Sequence, residues 1–216
     1  MDNVIFRHDP GFDAEDLVKQ LGPRLVQTSG QNFAIAKHKD DPADCSDRTE
    51  YFDWHSDGLY HPQPPRFVLL HCLQVGSGEV KTELASVAEL IAKISTRSLR
   101  TLIDLHSTYI GHGGCFAHPI FRNNEMLLAS RGYISPRPDL PLADNPSNRD
   151  IATAMSELYG LLDENAHTYE WSAGTTLIFD QYRYLHRRNP DNSAIGGNAR
   201  SSTIDKDRKL VRMWFN

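Results

Sequence analysis

The feature that most constrains the fold is a continuous apolar run of strand length at residues 66–73, which reads RFVLLHCL. Pro64 and Pro65 precede the run, and Gly76 and Gly78 follow it. Proline and glycine commonly interrupt helices and strands, so these residues mark both ends of the element. An apolar run of this length, bounded in this way, predicts a buried strand.

Further segments have strand composition and are separated by turns rich in glycine, asparagine and proline. They lie at residues 32–36, 107–110, 117–121, 167–171, 175–180 and 210–215. Apolar positions at helical spacing predict three helices, at residues 13–21, 86–94 and 150–162. Gly22 follows the first helix, and Ser86 and Glu89 form a capping box at the start of the second. Residues 37–49 and 189–207 are predicted to be loops.

This pattern predicts a mainly β chain with helical insertions, of the α+β class. Many short strands with few helices suit an eight-stranded jelly-roll core, although an ordinary α+β sandwich fits the pattern almost as well. The 216 residues, of which 39% are hydrophobic, can bury one sizeable core. We therefore expect a single domain over residues 1–216.

Charge and composition argue against several classes of function. The chain has 23 basic and 28 acidic residues, so it lacks the basic excess that nucleic-acid binding needs. No apolar run approaches the roughly eighteen residues of a membrane span, and we expect no membrane partner and a cytoplasmic location. Cys45, Cys72 and Cys115 form no CxxC pair and are expected to be reduced thiols, with Cys72 in the core.

Residues 51–60, YFDWHSDGLY, contain a candidate metal site. If residues 52–57 are extended, His55 and Asp57 project from the same face of the strand. An imidazole and a carboxylate are two of the three ligands in the 2-His-1-carboxylate triad, which holds non-haem iron and leaves three positions open. The pair does not by itself establish a metal site, because about one such spacing is expected by chance among ten histidines.

A second pair with the same spacing, His38 and Asp40, lies in the charged run KHKDD, which should face water. His55 is instead surrounded in sequence by aromatic and apolar residues, which would exclude water from a reactive metal. The context therefore favours His55 and Asp57 as ligands. The alternative interpretation is an ordinary pair of polar residues at the end of a strand.

The third ligand has to come from a distant strand that neighbours the first. His186 follows the apolar strand at residues 175–179 and a short turn, and it is the preferred candidate. His167 begins a strand and is a weaker competitor. The histidines interpreted as structural are His61, His71, His106, His112 and His118.

At these residues the sequence resembles the taurine dioxygenase and 2,4-dichlorophenoxyacetate dioxygenase family of iron(II)- and 2-oxoglutarate-dependent enzymes. Residues 54–73 (WHSDGLYHPQPPRFVLLHCL) are similar to that family's metal-binding strand, loop and following core strand. Residues 175–189 (TTLIFDQYRYLHRRN) resemble its segment with the distal histidine, and residues 208–215 (RKLVRMWF) resemble its closing strand. Three motifs in the right order are more specific than one.

The resemblance implies a double-stranded β-helix, a jelly-roll variant, in which 2-oxoglutarate chelates iron(II). The implied iron ligands are His55, Asp57 and His186. Arg212 matches the family position that pairs with the 5-carboxylate of 2-oxoglutarate, a role that suits the planar donor fork of a guanidinium. Arg208 matches a second arginine near the cosubstrate, and Thr82 matches a threonine that hydrogen-bonds the same carboxylate. In the alternative interpretation these three residues are surface charges or turn residues.

Arg200 competes with Arg212 for the cosubstrate, because its separation from His186 is nearer to the shorter spacing of some family members. Arg200 lies in the glycine-rich polar stretch GGNARSST, whereas Arg212 lies on a strand that can hold a guanidinium rigidly. On that strand Arg212 shares a face with Leu210 and Trp214, so its burial would require an anion. We therefore expect Arg212 to bind 2-oxoglutarate.

The family chemistry implies that iron(II), 2-oxoglutarate and O2 oxidise an unactivated C–H bond, with hydroxylation as the default outcome and release of succinate and CO2. We expect the substrate to be a small polar metabolite, such as an amino acid or a natural-product intermediate. Two alternatives are a cupin-like metal enzyme that does not use 2-oxoglutarate and a jelly-roll binding module without iron.

Overall fold

The computed structural model of the protein describes residues 4–22, 34–37, 52–76, 80–111, 114–129, 133–190 and 207–216. The strands in these ranges are β1 (Val4–His8), β2 (Ala34–Lys37), β3 (Phe52–His55), β4 (Phe67–Gln74), β5 (Val80–Ser86), β6 (Leu105–Gly111), β7 (Gly114–Pro119), β8 (Phe121–Arg122), β9 (Glu125–Met126), β10 (Tyr133–Pro136), β11 (Ala166–Tyr169), β12 (Thr175–Asp180), β13 (Tyr184–Pro190) and β14 (Lys209–Phe215). The helices are α1 (Ala14–Leu21), α2 (Val87–Lys93), α3 (Thr96–Ile103) and α4 (Asn148–Glu164), with a short 3-10 helix at Leu142–Asp144. The protein is mainly β with few helices, as the sequence predicts.

Two antiparallel sheets form the centre of the structure. A five-stranded sheet has the order β1-β12-β4-β14-β2, and a four-stranded sheet has the order β11-β5-β13-β3. The consecutive strands β4 and β5 belong to different sheets, and so do β12 and β13, so the chain crosses between the sheets at both places. Smaller sheets are formed by β10-β6-β7 and by β8-β9.

The two central sheets pack against each other through one apolar cluster. The five-stranded sheet contributes Val68, Leu70, Leu177, Phe179 and Trp214, and the four-stranded sheet contributes Leu84 and Tyr184. Each large side chain buried in this way stabilises the fold by about 1.5–3 kcal/mol. The interior between the sheets is therefore apolar, and polar side chains that enter it need partners.

Helices cover the outer face of each sheet. On the four-stranded sheet, Trp54 and Leu185 pack in a cluster with Leu90 of α2, Leu102 of α3 and Leu158 of α4. On the five-stranded sheet, α1 packs against the outward residues of β14; the residues in this contact are Leu17, Val18, Val211 and Met213. Adjacent residues of β14 thus face opposite sides, because side chains alternate along a strand.

Several predicted elements are confirmed. The buried run at residues 66–73 corresponds to β4, and the segments at 175–180 and 210–215 correspond to β12 and β14. The three predicted helices correspond to α1, α2 and α4. Ser86 caps α2, since its hydroxyl accepts a hydrogen bond from the backbone N–H of Glu89 at 3.4 Å. Cys72 is buried, as expected for a core residue.

No prediction from the sequence covers α3 or the strands β1, β5, β9 and β10. Strand β5 contains polar residues that do not resemble core residues in the sequence. Two of them, Thr82 and Glu83, are nevertheless only about 5% exposed. They are buried by β13 and β11, which pair with β5 on either side and lie more than eighty residues away. Distant partners of this kind leave no periodic signal in the local sequence.

Most residues of the two predicted loops, 37–49 and 189–207, lie outside the described residues. Among the loop residues that are described, Lys37 ends β2 and residues 189–190 end β13. The described part of the chain contains no helix that is both long and apolar enough to span a membrane.

Candidate metal centre

The pairing of β3 with β13 brings two histidines together. His55 and His186 are direct partners in the antiparallel register, and their ring centroids lie 4.0 Å apart. Phe52 and Phe179 pack against these rings, with centroids 4.1 Å from His55 and 5.0 Å from His186. The aromatic surroundings expected from the sequence are therefore present at the site.

Asp57 lies beyond the end of β3, so the prediction that residues 52–57 form one extended strand is wrong. The strand ends at His55, and the backbone N–H of Ser56 bonds instead to the carbonyl of Leu128 at 2.8 Å. Gly58 then turns the chain with φ of 69°, a conformation that side chains with a Cβ rarely adopt. A Cβ at Gly58 would also lie 2.6 Å from Pro65 Cδ. The turn therefore sets the position of Asp57.

The amide of Gln181 holds this turn from the neighbouring chain segment. Its Oε1 accepts a hydrogen bond from the backbone N–H of Asp57 at 2.6 Å, and its Nε2 donates to the carbonyl of Asp57 at 3.1 Å. The same Nε2 also donates to the carbonyl of Pro65. Gln181 is fully buried, so these bonds fix the backbone of Asp57 in a region without solvent.

His55, Asp57 and His186 form a compact triangle of potential ligands. Asp57 Oδ1 lies 3.5 Å from His55 Nε2 and 3.9 Å from His186 Nε2. One ligand atom from each residue lies within 4.8 Å of the other two, and the three residues are 7%, 8% and 7% exposed. Two imidazoles and one carboxylate are the donor set of the facial triad, so the side chains fit a divalent metal such as iron(II).

The protonation states of His186 and Asp57 suit metal binding. Burial and the neighbouring His55 lower the pKa of His186 to about 3, so its imidazole is neutral. Burial acts to raise the pKa of Asp57, but the charge of Arg212 and the two histidines outweigh it and hold the pKa well below its usual range. His55 Nδ1 lies 2.7 Å from the carbonyl of Asp53 and donates to it in the tautomer that leaves Nε2 free for a metal.

Arg212 lies beside the triangle on the other sheet. It pairs with Leu70 in the register of β14 and β4, so its side chain enters the interior between the sheets. Arg212 Nη1 lies 3.8 Å from Asp57 Oδ2, and the guanidinium carbon lies 4.8 Å from the centre of the Trp214 ring. Its buried Nε has no hydrogen-bond partner among the described residues. A donor in this position fits an anion that enters next to the three candidate ligands.

Thr82 and Arg208 are both buried, at 5% and 6% exposure. Thr82 lies two residues from Leu84, which pairs with His186, so Thr82 and His186 face the same side of the sheet. Its hydroxyl accepts a hydrogen bond from Trp171 Nε1 at 3.0 Å. Arg208 lies one residue before β14 and therefore does not belong to the strand that holds Arg212.

The competing residues are placed elsewhere or lie outside the described residues. His71 stacks on Phe12 and lies 2.8 Å from the hydroxyl of Thr176, which agrees with a structural role. His167 lies on the surface, 3.7 Å from Glu89. The candidates outside the described residues are His38, Asp40, His112 and Arg200.

Two residues at the site had no role assigned from the sequence, Gln181 and Trp214. Trp214 Nε1 donates a hydrogen bond to Asp57 Oδ2 at 3.0 Å, across 157 sequence positions, and Gln181 contacts Asp57 across 124 positions. Both lie within the segments that resemble the family motifs. Their contacts with Asp57 could not be predicted, because pairs so far apart in sequence share no local pattern.

The match to a known family extends over most of the chain. Residues 12–214 match the sequence profile described as "Taurine catabolism dioxygenase TauD, TfdA family". The chain belongs to this family. The resemblance inferred from the three sequence motifs is therefore confirmed.

Individual relatives of this TauD/TfdA-family chain are more distant. The dioxygenase str8 of Strobilurus tenacellus is 28% identical over 144 residues, which are 62% of this chain and 34% of that protein. The fold is similar to that of an asparagine oxygenase solved with Fe(II), 2S,3S-3-hydroxyasparagine and succinate, with a TM-score of 0.61 at 20% identity, over 85% of this chain and 56% of that one. PvcB from Pseudomonas aeruginosa gives a TM-score of 0.68 at 18% identity, over 99% of this chain and 76% of that one. The chain thus matches about a third of str8 and about half of the asparagine oxygenase.

Proposed function

We propose that this protein is an iron(II)- and 2-oxoglutarate-dependent dioxygenase whose iron is held by His55, Asp57 and His186. The observation that carries the proposal is the buried triangle of two imidazole nitrogens and one carboxylate oxygen. A facial triad leaves three coordination positions open, which is enough for a bidentate cosubstrate and O2. With iron bound, 2-oxoglutarate and O2 would supply the oxidising chemistry, and succinate and CO2 would be released.

The cosubstrate proposal is supported by the position of Arg212. Its guanidinium faces the interior from the sheet opposite His186, and its buried Nε has no partner among the described residues. We propose that Arg212 pairs with the 5-carboxylate of 2-oxoglutarate, and that Arg208 and the Thr82 hydroxyl contribute to the same subsite. A charge-assisted pair of this kind is strong where little water competes for the two ions, and the Arg212 side chain is only 15% exposed.

The proposed reaction is hydroxylation of an unactivated C–H bond in a small polar metabolite, such as an amino acid or a natural-product intermediate. The asparagine oxygenase structure contains a hydroxylated amino acid, and an OrfP structure contains (3S)-hydroxy-L-Arg. PvcB is described as an Fe, α-ketoglutarate-dependent oxygenase from an isonitrile synthetic pathway. The asparagine oxygenase and OrfP structures support an amino-acid-like substrate for this chain.

We also propose that the two central sheets form a double-stranded β-helix. The two central sheets share one apolar cluster, and the chain crosses between them after β4 and after β12, as expected for the double-stranded β-helix. We propose that residues 1–216 form one such domain. The cytoplasmic location expected from the sequence is part of this proposal.

Anaerobic titration of the protein with iron(II) and then 2-oxoglutarate tests the proposed function. The expected result is one equivalent of bound iron and a weak visible charge-transfer band that saturates with 2-oxoglutarate. Iron binding without this band would favour a metal enzyme that does not use 2-oxoglutarate. Folded protein with neither signal would overturn the proposal.

A further inference from the structure

The two oxygen atoms of Asp57 have different neighbours. Oδ1 faces the histidines, at 3.5 Å from His55 Nε2 and 3.9 Å from His186 Nε2. Oδ2 accepts a hydrogen bond from Trp214 Nε1 at 3.0 Å and lies 3.8 Å from Arg212 Nη1. One oxygen is thus directed to the metal side of the site, and the other is held by donors on β14.

We infer that Trp214 is a positioning residue that limits Asp57 to a single metal bond through Oδ1. This inference rests on the proposed function. For Oδ2 to bind the metal as well, the carboxylate would have to turn its second oxygen toward the histidines and away from the indole. That rotation would break a buried hydrogen bond to an ionised group, which is among the stronger hydrogen bonds in proteins.

The limit of one metal bond from Asp57 decides how many coordination positions are left for 2-oxoglutarate and O2. Two histidines and one carboxylate oxygen occupy three of six positions and leave three open. A chelating 2-oxoglutarate needs two of these positions, and O2 needs the third. If Asp57 bound through both oxygens, only two positions would be left, and the cosubstrate would compete with the second oxygen. Trp214 therefore keeps a position open for the cosubstrate.

Trp214, and not Arg212, makes the direct bond to Oδ2. The separation of 3.8 Å between Arg212 and Asp57 exceeds a hydrogen-bond distance, whereas 3.0 Å from the indole nitrogen is an ordinary one. Trp214 is 2% exposed and pairs with Val68 in the register of β14 and β4. Packing on both sides of the strand fixes the indole, so its N–H is a rigid donor.

Two replacements at position 214 separate the hydrogen bond from packing. Trp214→Phe removes the indole N–H and part of the ring volume, and β-(3-benzothienyl)alanine at this position keeps the bicyclic shape without the N–H. Trp54→Phe is the matched control, because Trp54 Nε1 donates to a different carboxylate, Asp163 Oδ1, at 2.9 Å. Each protein is titrated anaerobically with iron(II) and then 2-oxoglutarate, and thermal unfolding is measured by circular dichroism.

Both variants at position 214 are expected to retain one equivalent of iron and to need about tenfold more 2-oxoglutarate for half-saturation of the charge-transfer band. Trp54→Phe is expected to titrate like the wild-type protein. Three results would overturn the inference: an unchanged titration in the variants at position 214, a change only in the phenylalanine variant, or an equal change in the Trp54 control. Loss of iron from folded variants at position 214 would also overturn it. A wild-type protein without iron or the band would instead show that the proposed function has failed, and the inference with it.

Discussion

At the scale of single residues, the candidate centre is formed by side chains that the surrounding protein already holds in place. The turn that carries Asp57 is fixed by Gln181, and the two histidines are fixed by the pairing of β3 with β13. The protein's own contacts thus position all three candidate ligands. Removing one ligand should therefore weaken metal binding much more than it weakens the fold.

The first prediction concerns the ligands themselves. Asp57→Ala and His186→Ala should each lower the affinity for iron(II) by more than about a hundredfold, because loss of a ligand exceeds the loss from an outer partner. Metal content after anaerobic reconstitution measures the effect, and circular dichroism verifies the fold. His167→Ala is the matched control and should retain iron, since His167 lies on the surface beside Glu89. Stoichiometric iron in both ligand variants would place the ligands elsewhere, with His38 and Asp40 the next pair to test.

The second prediction concerns the cosubstrate. Arg212→Ala should raise the 2-oxoglutarate concentration at half-saturation by about ten- to a thousandfold, as expected for loss of a buried charge-assisted pair. Arg212→Lys should recover only part of the loss, because an ammonium cannot make the bidentate contact. Arg200→Ala should change the value little. The opposite ranking of Arg200 and Arg212 would show that the closing strand was matched wrongly, and it would remove the support for Arg208 and Thr82.

At the scale of elements, the outer face of β13 carries a charged network that connects it to β5 and α4. Arg187 Nε donates to Glu83, and Arg187 Nη1 donates to Asp163. The guanidinium also lies over the Trp54 ring, with its carbon 4.4 Å from the ring centre. Arg187 and Glu83 have side chains that are 11% and 6% exposed. Trp54 and Arg187 alternate with His55 and His186 along their strands, so this network lies on the face of the sheet opposite the metal centre.

The third prediction tests this network. Arg187→Met should lower the free energy of unfolding by about 3–5 kcal/mol, because it leaves Glu83 buried without its cationic partner. The double variant Arg187→Met/Glu83→Gln should recover part of this loss, since it removes the buried charge. Urea denaturation of the metal-free proteins measures both values. A double variant that is no more stable than Arg187→Met would show that the ion pair is not the origin of the loss.

At the scale of the whole molecule, buried histidines make the stability depend on pH. Burial lowers the pKa of His71 and of His118, and it lowers the pKa of His186 to about 3. In the unfolded chain each imidazole has a pKa of about 6.5. Below that pH the unfolded chain binds more protons than the folded protein, so protonation favours unfolding. The contribution of the neutral histidines is therefore complete above about pH 6.5 and decreases as the pH falls.

The fourth prediction follows from this loss of stability at low pH. The free energy of unfolding of the metal-free protein should decrease between about pH 7.5 and pH 5.5, by up to about 1.4 kcal/mol per pH unit for each histidine that stays neutral. Urea denaturation at several pH values measures the slope. His71→Gln should make the slope shallower, since glutamine does not titrate and can still bond to the Thr176 hydroxyl. Stability that is constant or that rises as the pH falls would contradict the prediction.

Local patterns in the sequence determined the type of most elements and the choice of candidate metal ligands. The apolar run at residues 66–73 predicted β4, and helical spacing predicted α1 and α4. The aromatic neighbours of His55 and the two further family motifs selected the ligand set. These features are readable because backbone geometry repeats over a few residues, and side-chain direction repeats with it.

Only the tertiary structure decided how these elements meet. It placed His55 opposite His186, ended β3 before Asp57, and brought Trp214 to Asp57 Oδ2 across 157 positions. The burial of Thr82 and Glu83 also depends on the pairing of β5 with β13. Such contacts form when the favourable free energy of burying two distant segments outweighs the entropic cost of closing the chain between them. That balance depends on the whole fold, so the local sequence around Asp57 does not encode its partners.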